Sequence, residues 1–298
     1  MYYLGLDVGS SSVKAAIVDA KSGKSILSVH EPKNEMGINS LNNDWAEQDP
    51  NMWWKYTCDA IKRVCKESNI DSKKISSVGI SYQMHGLVVV DKNGSPLRDS
   101  IIWCDSRAVN IGNEAFEKLG QEKCMSHLLN SPGNFTASKL KWVKDNEPNI
   151  YEKIYKYMLP GDFIAYKLTG QINTTRNGLS EGIIWDYKNN STADWLLDHY
   201  GIDSNLTPDL VDNFSNQGTT NLKSSNETGL NVGVPITYRA GDQPNNALAL
   251  NVFDNGEVAA SGGTSGVIYS ITNNLESNEP SRINHFAHVN YNNNNKSI

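Results

Sequence analysis

The chain has 298 residues, with 27 Lys and Arg against 33 Asp and Glu, for a formal net charge of −6. That length suits two domains, or one large domain and part of another, and a hydrophobic content of 38% supplies a packed core. The mild acidity argues against a nucleic-acid partner, no run of 18 apolar residues offers a membrane span, and Met1 to Asp7 lacks the basic and apolar stretches of a signal peptide, so the expected location is cytoplasmic.

Residues 2–8 read as a strand that leads into Gly9-Ser10-Ser11-Ser12. Val13 to Val18 is a second strand, closed by a turn from Asp19 to Gly23. Asp49-Pro50 starts a helix, with Asp49 as cap and Pro50 at its first position. Trp53, Thr57, Ala60, Ile61, Val64 and Cys65 share one face of it. Ile75 to Tyr82 is a β-branched strand running into Gln83-Met84-His85-Gly86. Leu87 to Asp91 is another strand, and Asn93-Gly94 signals a hairpin turn. Ile101 to Cys104 reads as a short buried strand before Asp105-Ser-Arg107. Helical patterns dominate from 108 to about 200, with a capping box expected at Ser191 to Asp194, and 203–233 reads mostly as loop. Pro235 to Ala240 is a strand that meets Gly241-Asp242 and a helix. Val258–Ser261 and Val267–Ile271 are strands around Gly262-Gly-Thr-Ser-Gly266, and Asn292 to Asn295 is a polar tip. Cys58, Cys65, Cys104 and Cys124 contain no Cys-x-x-Cys and read as buried free thiols. His285-x-x-His288 has no supporting metal ligands.

An internal repeat carries chemistry. Leu6-Asp-Val-Gly9-Ser-Ser-Ser-Val13 aligns with Ala260-Ser-Gly-Gly263-Thr-Ser-Gly-Val267, and a spacing of 263 − 9 = 254 residues suggests two similar domains. Glycine lets a backbone approach a phosphate, turn amides point at it and hydroxyls add hydrogen bonds. The expected phosphate ligands are Gly9, Ser10, Ser11 and Lys14 from the first turn, and Gly263, Thr264 and Ser265 from the second. Asp7, at the mouth of the first turn, would need a cation between itself and phosphates, and Mg²⁺, held directly or through water, fits. The alternative is a turn-capping aspartate. Asp242 follows a strand and opens a helix, where the helix dipole would hold it ionised; it could equally be a plain N-cap. Gln83, Met84, His85, Trp103, Asp105 and Arg107 lie at strand ends, where open α/β sheets bind ligands. His and Asp could take sugar hydroxyls, and Trp offers a flat apolar face.

Together, Asp7-Val-Gly-Ser-Ser-Ser-Val-Lys14, Gln-Met84-His85-Gly, Trp103-x-Asp105-x-Arg107, Ala-Gly-Asp242 and Gly-Gly-Thr264-Ser-Gly-Val resemble the FGGY carbohydrate kinases, over residues 3 to at least 272. The Gln-Met-His-Gly motif is narrower and resembles xylulokinases. The resemblance implies an α/β, ribonuclease-H-like fold of the actin, hexokinase and Hsp70 type: a mixed sheet flanked by helices, plus the start of a second similar domain. Expected bounds are 1–244 for a sugar-binding domain and 245–298 for the beginning of a nucleotide-binding one. It implies ATP and Mg²⁺ in a cleft, Asp242 as catalytic base, Met84 and His85 on the sugar and Asp7 near the metal. Asp242 departs from the family's usual small neighbours, since Gln243-Pro244-Asn245 follow it. The expected activity is phosphorylation of a ketopentose, D-xylulose before ribulose, gluconate or glycerol, with a non-catalytic sugar-binding regulator as the other alternative. The expected partners are a small-molecule sugar and ATP, with no nucleic acid and no membrane; a homodimer is a permitted assembly. With only 298 − 263 = 35 residues after the second turn, the chain reads as a fragment not expected to phosphorylate sugar by itself.

Overall fold

A computed structural model describes residues 1–298 except 263–265, 278 and 281. Strands β1 (Tyr2–Val8), β2 (Val13–Asp19), β3 (Ser25–Glu31), β4 (Ile75–Tyr82) and β5 (Ile236–Gly241) form a five-stranded sheet in the order β5-β4-β1-β2-β3. The β1-β2-β3 meander is antiparallel, whereas β1, β4 and β5 run parallel. This is the mixed α/β sheet the sequence predicts. Alternation decides which face is covered: Leu4, Leu6 and Val8 of β1 and Val13, Ala15 and Ile17 of β2 are buried against α1 (Pro50–Ser68). The Asp49 carboxylate accepts the Asn51 N–H, and Pro50 occupies the first helical position. Trp53, Thr57, Ala60, Ile61 and Val64 are buried as expected; Cys65 is half-buried. Each large apolar side chain so covered contributes about 1.5–3 kcal/mol.

A second core lies among the helices that follow. It includes Leu140 and Val143 of α2 (Thr136–Asn146) and Leu179 of α4 (Arg176–Glu181), with Ile183, Trp185, Leu196 and Leu197 around them. Between them, α3 (Pro160–Thr169) packs on the central sheet. The last residues return to this region. Asn177 donates to the carbonyls of Ala287 and His288, the Ala287 N–H donates to the Ser180 hydroxyl, and Tyr291 meets Trp185 edge-on. From β5 the chain enters α5 (Asp242–Ala249) and then β6 (Val258–Gly262) and β7 (Gly266–Ser270), an antiparallel pair. The tip of that second hairpin, with Gly263, Thr264 and Ser265, lies outside the described residues.

Several expectations need correction. The capping box at Ser191–Asp194 does not form: Ser191 and Thr192 pair with Trp185 and Asp186 as strands, and Ala193 takes the cap position. The stretch 203–233 is mostly irregular, as expected, but it holds two elements the sequence reading does not place: Asp209–Val211 pairs in parallel with Asn173–Thr175, and Leu222–Thr228 is helical, capped reciprocally by Asn221 and Ser224. The buried strand at 101–104 stops at Ile101, and both Trp103 and Cys104 are exposed. The Asn93-Gly94 turn forms, but Val88–Val90 takes Lys156–Met158 as its main partner. Among the described residues no helix is long and apolar enough to cross a membrane, and no group of three His, Cys, Asp or Glu could hold a metal.

Candidate active site

Sheet register assembles the first turn. In β1 and β2, Asp7 is paired with Lys14, and in the parallel β1–β4 pair it lies beside Ser81. The Lys14 ammonium is 3.1 Å from Asp7 Oδ2, and the Ser81 hydroxyl donates to Oδ1 at 3.2 Å. Both charged side chains remain open to solvent. The turn closes on itself through the Gly9 N–H and the Ser12 carbonyl at 3.1 Å. Gln48 fastens it from below: its amide donates to the Ser10 carbonyl at 2.7 Å while its Oε1 accepts the Trp53 indole N–H. Trp103 stands over it, 54% exposed, with its indole N–H 3.3 Å from the Ser10 hydroxyl.

Asp242 opens α5 directly beyond β5. Loss of water raises its carboxyl and the charge of Asp7 adds to this, against a backbone hydrogen bond at Gln243; the pKa is pushed up to about 6. The preceding glycine is required by a close approach. A Cβ on Gly241 would lie 2.5 Å from Met84 Cγ and 2.7 Å from Glu181 Oε2. Met84 and Asp242, far apart in sequence, therefore share one joint at Gly241.

The Gln83-Met84-His85-Gly86 turn places His85 in left-handed backbone, φ 61°. Its Nδ1 lies 2.9 Å from the Glu181 carbonyl oxygen. A carbonyl only accepts, so Nδ1 carries the proton and Nε2 is left as an acceptor. Burial pushes the imidazole down to about 3, so it is neutral at ordinary pH. Phe135 and Phe286 hold the ring, at centroid distances of 4.8 and 5.1 Å. A cavity of about 700 Å³ adjoins this turn, lined by Met84, His85, Gln243, Tyr269, Arg282 and Phe286 among others. The Gln83 amide is buried with neither its nitrogen nor its oxygen partnered.

Asp105 and Arg107 are spent on each other. Their side chains are 0% and 1% exposed and are joined through Arg107 Nε and NH2. Asp105 also accepts the Ala46 N–H at 2.7 Å, and the guanidinium lies over Trp45 and near Glu47. What they hold is the segment that delivers Gln48 to the first turn. Four neighbours of the site are not assigned to it from the sequence: Lys139, which donates to the His85 carbonyl; Glu181, buried behind Gly241; Gln243, noted only as an unusual residue after Asp242; and Phe286. Lys139 was legible as a lysine among apolar helix positions, and Gln243 by its place after Asp242; the other two carried no local signal.

Residues 2–249 match the model of the FGGY family of carbohydrate kinases, N-terminal domain. The chain belongs to the FGGY carbohydrate kinase family. Among FGGY relatives, a xylulose kinase of Staphylococcus xylosus is 30% identical over 288 residues, covering 96% of this chain and 58% of that protein. One from Bacillus subtilis is 28% identical over 292 residues, covering 96% of this chain and 57% of its own. In three dimensions the chain resembles a Brucella ovis protein described as a xyloylose kinase, with a TM-score of 0.86 and 28% identity, over 97% of this chain and 58% of that one. A Plasmodium falciparum glycerol kinase solved with ADP shares the fold, with a TM-score of 0.82 at 21% identity, over 91% and 54% of the two chains. The FGGY match thus spans little more than half the length of these relatives.

Proposed function

We propose that this chain holds the acceptor sugar of an ATP-dependent carbohydrate kinase, that the acceptor is D-xylulose and that Asp242 is the general base. The observation that carries the reading is the joint at Gly241, where the base and Met84 meet, with Asp242 poised near pH 6. At pH 7 such a carboxyl is ionised by about ten to one, which suits proton abstraction. His85 Nε2 accepts a sugar hydroxyl. Asp242 takes the proton of the attacking hydroxyl, whose oxygen forms a bond to the γ-phosphorus of ATP as the bond to the β-γ bridging oxygen breaks and ADP leaves. Ser10, Ser11 and Lys14 present amides, hydroxyls and an ammonium to the phosphates, while Gly9 shapes the turn by giving its own N–H to the Ser12 carbonyl, so positioning and charge stabilisation do most of the work. Gly263, Thr264 and Ser265 are the proposed opposing clamp.

A magnesium ion entering with ATP suits the donor set: one half-exposed carboxylate, Asp7, with room for water and phosphate oxygens and no preformed cage among the described residues. Bound there, it would offset phosphate charge. Gln83, Trp103, Asp105 and Arg107 support the acceptor side, the last two through the segment they hold. In this reading the protein works in the cytoplasm on small molecules, with no nucleic acid or membrane involved. Calorimetry with a sugar panel tests it: D-xylulose should bind at least about tenfold tighter than glycerol or gluconate, and either of these binding better than D-xylulose rejects the assignment.

A further inference from the structure

Lys139 lies fully buried on α2, beside Ala137 and Leu140. Its ammonium donates to the carbonyl of His85 at 2.9 Å and to that of Ile102 at 2.9 Å. These carbonyls belong to two segments far apart in sequence, which also meet at the Leu87 N–H and the Ile101 carbonyl, 2.9 Å apart. His85 sits in the turn with Met84, and Ile102 immediately precedes Trp103, whose indole reaches the first turn at Ser10. A buried ammonium is expensive to desolvate, and a methionine would fill similar space without that cost. Packing alone therefore does not account for the residue.

We propose that Lys139 is a positioning residue for the acceptor sugar, tying the Met84-His85 turn to the Ile102-Trp103 segment so that sugar contact and phosphate turn keep one register. The inference rests on the reading of His85 as a sugar contact. The left-handed backbone of His85 costs a non-glycine residue energy, and the ammonium secures the carbonyl of that same residue.

The groups facing Lys139 supply a readout. Asp105 and Cys104 favour its charged form and Arg107 opposes it, but burial dominates and the pKa falls to about 8. His85 is neutral far above its own pKa of about 3, and the Cys104 thiol is pushed up by loss of water. Charge-assisted hydrogen bonds are roughly twice as strong as neutral ones, so loss of the Lys139 proton loosens the turn. Fold stability moves the other way. The folded pKa lies below the ordinary 10.5, the unfolded chain binds more protons between pH 8 and 10.5, and stability contributed by this group rises with pH in that window. Weaker sugar binding alongside a firmer fold separates positioning from packing.

The experiment is calorimetry of D-xylulose binding between pH 7 and 9 on the full chain and on Lys139→Met. The wild-type Kd should rise about threefold across the range, and the variant should bind about tenfold more weakly at pH 7 with no slope. A folded variant with wild-type affinity, or with the wild-type slope, overturns the proposal. If the variant does not fold, a flat wild-type profile overturns it. If the wild type binds no sugar at any pH, the proposed function has failed rather than this inference. Amide exchange then decides: wild-type protection at Met84 to Leu87, corrected for intrinsic rate, should fall between pH 7 and 9 while that of β4 holds, and equal behaviour of the two overturns the proposal.

Discussion

The β1–β2 hairpin and the β6–β7 hairpin are both strand, small-residue turn, strand, but their surroundings differ. The first is flanked by β3 and β4 within the five-stranded sheet and backed by α1, so its inward side chains are buried. The second, among the described residues, pairs only with itself, leaving Val258 55% and Ile268 81% exposed. A turn motif can specify a hairpin locally. It cannot specify the neighbouring strand that hands Ser81 to Asp7, or the short extended segment ahead of α1 that hands Gln48 to Ser10.

Four measurements would break or sharpen this contrast. The largest effect is expected at the carboxyl end of the embedded sheet. In turnover-competent protein, Asp242→Asn should lower kcat by about 10²–10⁴ with sugar affinity kept, as loss of a general base does; near-normal turnover removes Asp242 from the chemistry. Next, Leu6→Ala in β1 should destabilise by about 2–5 kcal/mol in denaturant unfolding, because a buried leucine leaves a cavity. A loss under about 0.5 kcal/mol would mean that the first hairpin is no better supported than the second.

The third concerns charge carried between two strand ends. The Asp242 pKa near 6 lies above its ordinary 3.8, so the unfolded chain binds fewer protons between those values. The group's destabilising effect is therefore full above pH 6 and disappears as pH falls through this window, and the proposed proton abstraction should fail over the same range. Asp7→Asn should move the carboxyl titration of Asp242, followed by NMR, downward by a fraction of a unit, since burial is the larger cause. An unmoved midpoint would mean the two acids do not sense each other. The smallest effect belongs to the free hairpin: Ile268→Ser should change stability by no more than about 0.5 kcal/mol by thermal unfolding. A cooperative loss of several degrees would show hidden packing there.

Local patterns made much of this legible. The caps at Asp49-Pro50, the alternation in β1 and β2 and the break at Gly241-Asp242 all depend on neighbours in sequence, and they read correctly. The helix at Leu222–Thr228 did not, because Asn221 and Ser224 hold it without an apolar stripe. Trp103 misled for another reason: its apolar ring suggests a core, yet its partner is a serine hydroxyl in the first turn. Asp105 and Arg107 were visible as a motif, but their pairing with each other and with Ala46 depends on a long-range approach. Lys139 has backbone carbonyls as partners, and carbonyls leave no trace in residue type.

On the proposed reading, the neutral imidazole of His85 separates sugar recognition from reaction. Its ring stays neutral down to about pH 3, whereas Asp242 gains its proton near pH 6. Mild acid would therefore silence the base before it disturbs the hydroxyl acceptor. On the proposed reading, mild acid would leave the sugar docked while phosphoryl transfer stops, and recovery would need only the return of one proton to solvent.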